Sequence, residues 1–114
     1  MFKFFKKAET TAETTPQEVA RRLAQGEQFL VLDVRQPDEY AEGHVAGSTL
    51  IPLDQLALRL DELPKDREIV AICRSGHRSG VATGLLQRAG LKAINVKGGM
   101  LAWHKHALPE ERGA

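Results

Sequence analysis

The sequence contains one cysteine, one tryptophan and one tyrosine in 114 residues. A single cysteine cannot form a disulfide within the chain, so nothing here requires an oxidising compartment and we expect a cytoplasmic protein. No apolar stretch is long enough to span a bilayer. The net charge is +1, from 16 basic and 15 acidic side chains. Because binding to phosphates normally needs a basic surplus, this balance argues against nucleic acid as a partner.

The length predicts one domain with a single modest core, since 42% of the residues are apolar and 27% are charged. We place this domain at residues 14–108, between a flexible N-terminal tail at residues 1–13 and a frayed C-terminal tail at residues 109–114. The first seven residues mix phenylalanine with lysine and turn polar at once, which a secretory signal does not do. A weak contact of these phenylalanines with a membrane surface or a partner is the alternative.

Short apolar runs near residues 30, 50, 70 and 95 predict strands, and the connections between them are long enough for helices. Connections of this length favour a parallel α/β fold with right-handed crossovers. Thr15 and Pro16 predict the start of one helix, with Glu18 completing a capping box. The leucines between Leu53 and Leu63 predict a single amphipathic helix that Pro64 ends.

The residues with the clearest chemistry lie in one loop, Cys73-Arg74-Ser75-Gly76-His77-Arg78-Ser79, between the apolar run Ile69–Ile72 and a predicted helix. This order places the thiol at the carboxyl end of a strand and beside a helix N-terminus. Unpaired N–H groups and the helix dipole there favour an anion, and therefore favour the reactive thiolate over the thiol. A cysteine in this position is often a small buried hydrophobe, but arginines, serines, a glycine and a histidine are better suited to holding an anion above sulfur.

The loop resembles the active-site loop of rhodanese (thiosulfate sulfurtransferase) domains. Two further segments match in order and spacing: Asp33–Tyr40 leading to Gly43–Ser48, and Val96–Trp103. The likeness extends from about Thr14 to Leu108. It implies a small rhodanese-like parallel sheet with helices on both faces. One position departs from the pattern, because Ala107 stands where related domains often carry glycine, which bears on the exit of the last helix.

The resemblance implies transfer of sulfane sulfur through a persulfide on Cys73, with an anionic donor such as thiosulfate. Arg74 and Arg78 would attract and orient the donor, and the N–H groups of residues 74 to 79 would stabilise the persulfide. Ser75 and Ser79 can donate hydrogen bonds, Gly76 permits the tight turn, and His77 is interpreted as tuning the charge of the loop. The acceptor would be cyanide, an external thiol or a protein thiol, because the chain has no second cysteine. No cofactor is implied.

Asp33, Arg35 and Glu39 are interpreted as a buried charge network that holds the loop after the second strand, since carboxylates would repel an anionic donor. His44 could act as a general base, but a hydrogen-bonded structural histidine is the better interpretation. No histidine or cysteine lies at zinc-ligand spacing from His44. Gly98 and Gly99 are predicted to allow a close backbone approach at the sheet edge that carries Cys73.

Two other classes of function remain open. A cysteine-dependent phosphatase also uses a cysteine–arginine anion loop, but it carries one more residue than the four that Cys73 and Arg78 enclose. A non-catalytic binding or sulfur-carrier module is the second alternative, and the intact nucleophile speaks against it.

Overall fold

The computed structural model describes residues 12–114, and a parallel sheet lies at its centre. Its five strands are β1 Glu13–Thr14, β2 Leu30–Asp33, β4 Thr49–Leu50, β5 Ile69–Ile72 and β6 Ala93–Val96. They lie side by side in the order β1-β6-β5-β2-β4, and every neighbouring pair is parallel. A separate antiparallel pair joins β3 His44–Val45 to β7 Glu110–Glu111. The parallel α/β fold predicted from the strand spacing is confirmed.

Helices cover both faces of this sheet, as the resemblance implied. They are α1 Pro16–Ala24, α2 Pro37–Glu42, α3 Leu53–Leu56, α4 His77–Arg88 and α5 Gly99–Lys105, with a 3₁₀ turn at Leu60–Glu62. One core packs α1 and α5 against the sheet and includes Val19 and Trp103. The other packs α3 and α4 and includes Leu56 and Leu86. Among the residues described, no helix is long and apolar enough to cross a membrane.

Strand β5 lies in the middle of the sheet, which places Cys73 at the centre of one sheet edge. All four residues of β5 are buried, so the unbroken apolar sequence Ile69–Ile72 meets helices on both sides. The register pairs Val70 with Val31 of β2 and with Ile94 of β6. The three longest strands therefore end together, and the loops that follow them meet at the carboxyl edge.

The start of α1 follows the sequence prediction in part. The Thr15 hydroxyl accepts a hydrogen bond from the Glu18 N–H at 3.2 Å, and Pro16 occupies the first turn. The Glu18 carboxylate pairs with Arg21 at 2.6 Å instead of returning to the cap. The capping box is therefore half formed, because an arginine one turn away competes for the carboxylate.

The prediction of one helix from Leu53 to Leu63 is wrong. The chain forms α3 and a separate 3₁₀ turn, and Leu58 between them is 88% exposed. Leu56 and Leu63 are both buried, so two short helical pieces bury the same leucine pattern that one helix was predicted to bury. Periodicity identified the buried positions but not the break.

Residues at both predicted domain boundaries take part in sheets. Glu13 pairs with Asn95 in β1, although it was assigned to the N-terminal tail. Glu110 and Glu111 pair with Val45 and His44, so the prediction of a frayed segment after Leu108 is wrong for these two residues. Backbone pairing with a strand far away in sequence holds each of them in place. The rest of the predicted N-terminal tail, residues 1–11, lies outside the described residues.

Candidate active site

The sulfur of Cys73 accepts three hydrogen bonds from its own loop. The N–H of Gly76 lies 3.1 Å from Sγ, the N–H of Ser79 lies 3.3 Å away, and the Ser79 hydroxyl lies 3.2 Å away. Cys73 itself is 1% exposed. A buried thiol would not by itself need three donors, whereas a sulfur anion does. The loop is therefore built to hold negative charge at this sulfur.

The same contacts set the acidity of the thiol. Burial raises the pKa of Cys73, but the Ser79 hydroxyl and the N–H groups of Ser79, Gly76 and Ser75 together outweigh it. The pKa of the Cys73 thiol therefore lies below its ordinary value. Hydrogen bonds to the charged form explain the direction, because they stabilise the thiolate and not the thiol. A larger thiolate fraction at neutral pH makes the sulfur a better nucleophile.

Helix α4 supplies the donors because it begins within the loop. Gly76 takes a left-handed conformation with φ 108°, and the first helical bond joins the Gly80 N–H to the Gly76 carbonyl at 3.1 Å. The N–H groups of residues 77 to 79 therefore have no acceptor in the helix. The Asn95 side chain on β6 donates to the same Gly76 carbonyl at 3.1 Å. Strand β6 thus helps to hold the turn at Gly76 in place.

Gly99 brings the last helix against the cysteine loop. The N–H groups of Met100 and Leu101 donate to the carbonyls of Cys73 and Arg74 at 2.8 and 3.0 Å. A Cβ atom at Gly99, where φ is 56°, would overlap both of those carbonyls. A close backbone approach was predicted for Gly98 and Gly99, and the geometry at Gly99 confirms it.

Arg78 is already paired with a carboxylate. Its two terminal nitrogens each lie 2.8 Å from one carboxylate oxygen of Glu39 on α2. The Arg78 side chain donates to Glu39 and lowers the pKa of that carboxyl to about 2, while burial opposes this change. The sequence did not reveal this pair. It fastens the cysteine loop to α2 and offsets the charge of one of the two loop arginines.

Three other side chains of the cysteine loop face solvent. Arg74, Ser75 and His77 are exposed, and Arg74 makes no ion pair with any residue from 12 to 114. Ser79 is fully buried and directs its hydroxyl at the sulfur. Of the two serines in the loop, Ser79 therefore contacts Sγ through its side chain.

Asp33 and Arg35 form the buried network predicted from the sequence. Arg35 donates to both carboxylate oxygens of Asp33, and it also donates to the carbonyls of Glu39 and Gly43. The pair ties the end of β2 to the middle of α2 and to the residue that follows it. Glu39 joins the network through its backbone, while its carboxylate turns to Arg78.

His44 has the contacts of a structural residue. It is 5% exposed, its ring stacks on Tyr40 at 3.6 Å between centroids, and its Nδ1 donates to the Tyr40 carbonyl at 2.7 Å. Within residues 12–114 no group of three or more histidine, cysteine, aspartate or glutamate side chains is placed to hold a metal ion.

Sequence reasoning missed two residues that support the loop. Glu39 was assigned to the Asp33 network, and Asn95 was treated as part of a strand. For Asn95 a signal was present, because an amide in the apolar run Ala93–Val96 must find a hydrogen-bond partner when buried. For Glu39 no local signal exists, since its partner is 39 residues away.

Comparisons with known proteins show what this chain is similar to. A family model described as a rhodanese-like domain matches residues 15–106. A sulfurtransferase of Allochromatium vinosum is 38% identical over 98 residues, which cover 85% of this chain and 92% of the relative. A rhodanese-like domain protein of Staphylococcus aureus has a similar structure, with a TM-score of 0.82, 30% identity and coverage of 91% of this chain and 100% of that protein.

A thiosulfate sulfurtransferase of Pseudomonas aeruginosa gives a TM-score of 0.83 at 27% identity, over 91% of this chain and 21% of that larger protein. Relatives named as sulfurtransferases support sulfur transfer in general terms for this chain. This chain belongs to the family of rhodanese-like domains.

Proposed function

We propose that this protein is a sulfurtransferase that takes sulfane sulfur from thiosulfate and carries it as a persulfide on Cys73. The observation that carries the proposal is the set of three donors around Sγ, at 3.1 to 3.3 Å. The thiolate attacks the outer sulfur of thiosulfate. A bond forms between Sγ and that sulfur, the S–S bond of the donor breaks, and sulfite leaves with the bonding electrons.

Arg74 would attract and orient the anionic donor, because it is exposed and has no carboxylate partner among the described residues. Arg78 would contribute less to donor binding, since Glu39 offsets its charge. We assign it chiefly the task of holding the loop. The Pseudomonas aeruginosa relative is named for thiosulfate, which supports this donor.

The persulfide carries its negative charge on the outer sulfur, one bond further from the strand than Sγ. The N–H groups of residues 74 to 79 and the Ser79 hydroxyl would stabilise it as they stabilise the thiolate. Sulfite is a good leaving group, so His77 is not needed as an acid. We propose that His77 tunes the charge of the cysteine loop and the fit of the acceptor. An external thiol, a protein thiol or cyanide then removes the sulfur, because the chain has no second cysteine.

Intact mass spectrometry after incubation with thiosulfate tests the proposal. We expect the protein to gain the mass of one sulfur atom, to release sulfite, and to lose that mass when a thiol is added. Cys73→Ser should gain no mass, whereas Ser75→Ala is the matched control because the Ser75 side chain does not contact Sγ. Steady-state kinetics with both substrates should be ping-pong.

Two results would contradict the proposal. One is an equal gain of one sulfur mass in Cys73→Ser, which would place the bound sulfur somewhere other than residue 73. The other is phosphate release from an aryl phosphate without sulfite release from thiosulfate, which would favour the phosphatase alternative.

A further inference from the structure

A cavity of about 260 Å³ lies directly beside the cysteine loop. Arg74 borders it from the loop, Met100 and Leu101 border it from α5, and Arg112 borders it from the segment after β7. The hydrogen bonds from Met100 and Leu101 to the carbonyls of Cys73 and Arg74 join this wall to the loop. A molecule bound in the cavity would therefore lie beside Arg74, the residue that follows Cys73.

Most charged groups around the cavity are already paired. Arg35 is bound to Asp33, Glu39 to Arg78, and Glu110 to His104 at 2.8 Å. Three charged side chains on the cavity wall have no ion pair with any residue from 12 to 114: the guanidinium groups of Arg74 and Arg112 and the carboxylate of Glu42, so the unpaired charge on the wall is positive overall. A guanidinium group binds carboxylates well because its planar fork matches two carboxylate oxygens.

We propose that this cavity is the acceptor site and that the acceptor is a small thiol bearing a carboxylate. The proposal rests on the sulfur-transfer function proposed above. The thiolate of the acceptor attacks the outer sulfur of the Cys73 persulfide. A new S–S bond forms on the acceptor, the bond from Sγ to the outer sulfur breaks, and the electron pair returns to Sγ as the thiolate. No additional oxidant or reductant takes part.

The size and the wall of the cavity support a small acceptor. A volume of about 260 Å³, near the lower end of the range of ligand pockets at roughly 300 Å³, has room for a small thiol. Met100 and Leu101 offer apolar surface to the carbon chain between the thiol and the carboxylate. Arg112 lies outside the cysteine loop, so it can contribute to acceptor binding without touching the donors around Sγ.

Loading and discharge are measured separately on the full chain. Wild type, Arg112→Gln and Lys105→Gln are loaded with thiosulfate, and the persulfide is counted by intact mass. Each is then discharged with 3-mercaptopropionate or with 2-mercaptoethanol, which lacks the carboxylate. Lys105→Gln is the matched control because it removes one exposed positive charge from α5 without bordering the cavity. Comparing each thiol between proteins cancels the difference in intrinsic reactivity between the two thiols.

We expect Arg112→Gln to load normally and to discharge to 3-mercaptopropionate about threefold to tenfold more slowly at subsaturating thiol and low salt. Discharge to 2-mercaptoethanol should stay as in wild type, and Lys105→Gln should behave as wild type with both thiols. The acceptor site would be overturned, and the sulfur-transfer function left intact, by any of three results. Arg112→Gln slows discharge to both thiols equally, Arg112→Gln changes discharge to neither thiol, or Lys105→Gln slows discharge as much as Arg112→Gln does. If wild type forms no persulfide with thiosulfate and none with polysulfide, the proposed function and the acceptor site are both refuted.

Discussion

Replacing Glu39 with glutamine tests whether the ion pair with Arg78 fastens the cysteine loop to α2. The two groups form a bidentate pair with both contacts at 2.8 Å, and their side chains are 26% and 33% exposed. The pKa of Glu39 falls from 4.5 to about 2, with Arg78 as the main cause. At about 1.4 kcal/mol for each pKa unit, this fall is worth up to about 3 kcal/mol. Because both groups are partly exposed, water and salt reduce it, and we expect Glu39→Gln to cost about 1–2 kcal/mol at pH 7.

The sign of the pH dependence follows from the direction of the pKa change. A carboxyl whose pKa is lower in the folded state stabilises the fold above its unfolded pKa of 4.5, and that stabilisation is lost as the pH falls through about 2. The difference in stability between wild type and Glu39→Gln should therefore shrink below pH 4.5. Less than about half of it should remain at pH 3.

Urea unfolding at several pH values measures this difference. The fluorescence of Trp103, the single tryptophan and 1% exposed, reports the transition. Glu42→Gln is the matched control, since Glu42 lies on the same helix and has no ion pair with a described residue, and its cost should stay within about 0.5 kcal/mol. Equal costs for the two variants, or a cost for Glu39→Gln that does not change between pH 7 and pH 3, would refute the reasoning.

Three further predictions concern the loop and its surroundings. Ser79→Ala removes a hydroxyl donor from Sγ and should therefore raise the pKa of Cys73. Alkylation of Cys73 by iodoacetamide should slow at pH 7, and the pH profile of the alkylation rate should move to higher pH. The control variant Ser75→Ala should leave this profile unchanged. Gly99→Ala should lower the free energy of unfolding in urea by about 2–4 kcal/mol, because the added Cβ meets two carbonyls. Gly26→Ala, also at positive φ but in open space, should lower it by about 1–2 kcal/mol. Equal losses in the two variants would contradict the close backbone approach at Gly99. Ala107 has φ 52°, so Ala107→Gly should raise the free energy of unfolding by about 0.5–1 kcal/mol, and a loss of stability would contradict this account of the helix exit.

The cysteine loop was predictable from the sequence because its chemistry is local. An apolar strand, a glycine turn and a helix start are all encoded within a few residues, and together they bring Ser79 and Gly76 close to Sγ. The Asp33–Arg35 pair was predictable for the same reason, since its members are two positions apart in the chain. The break after α3 was not, because two short helical pieces bury the same leucines as one helix.

The sequence by itself determined the positions of four strands and most of the helices, the parallel class of fold, and the sheet edge that carries Cys73. Only the tertiary structure decided which groups meet there: Glu39 pairs with Arg78, Asn95 donates to the Gly76 carbonyl, and Arg112 borders the same cavity as Arg74. The physical reason is the distance along the chain between the groups that interact. Helix and strand patterns depend on neighbours within a turn or two of chain, whereas these contacts depend on strand order and on how the helices pack over the sheet.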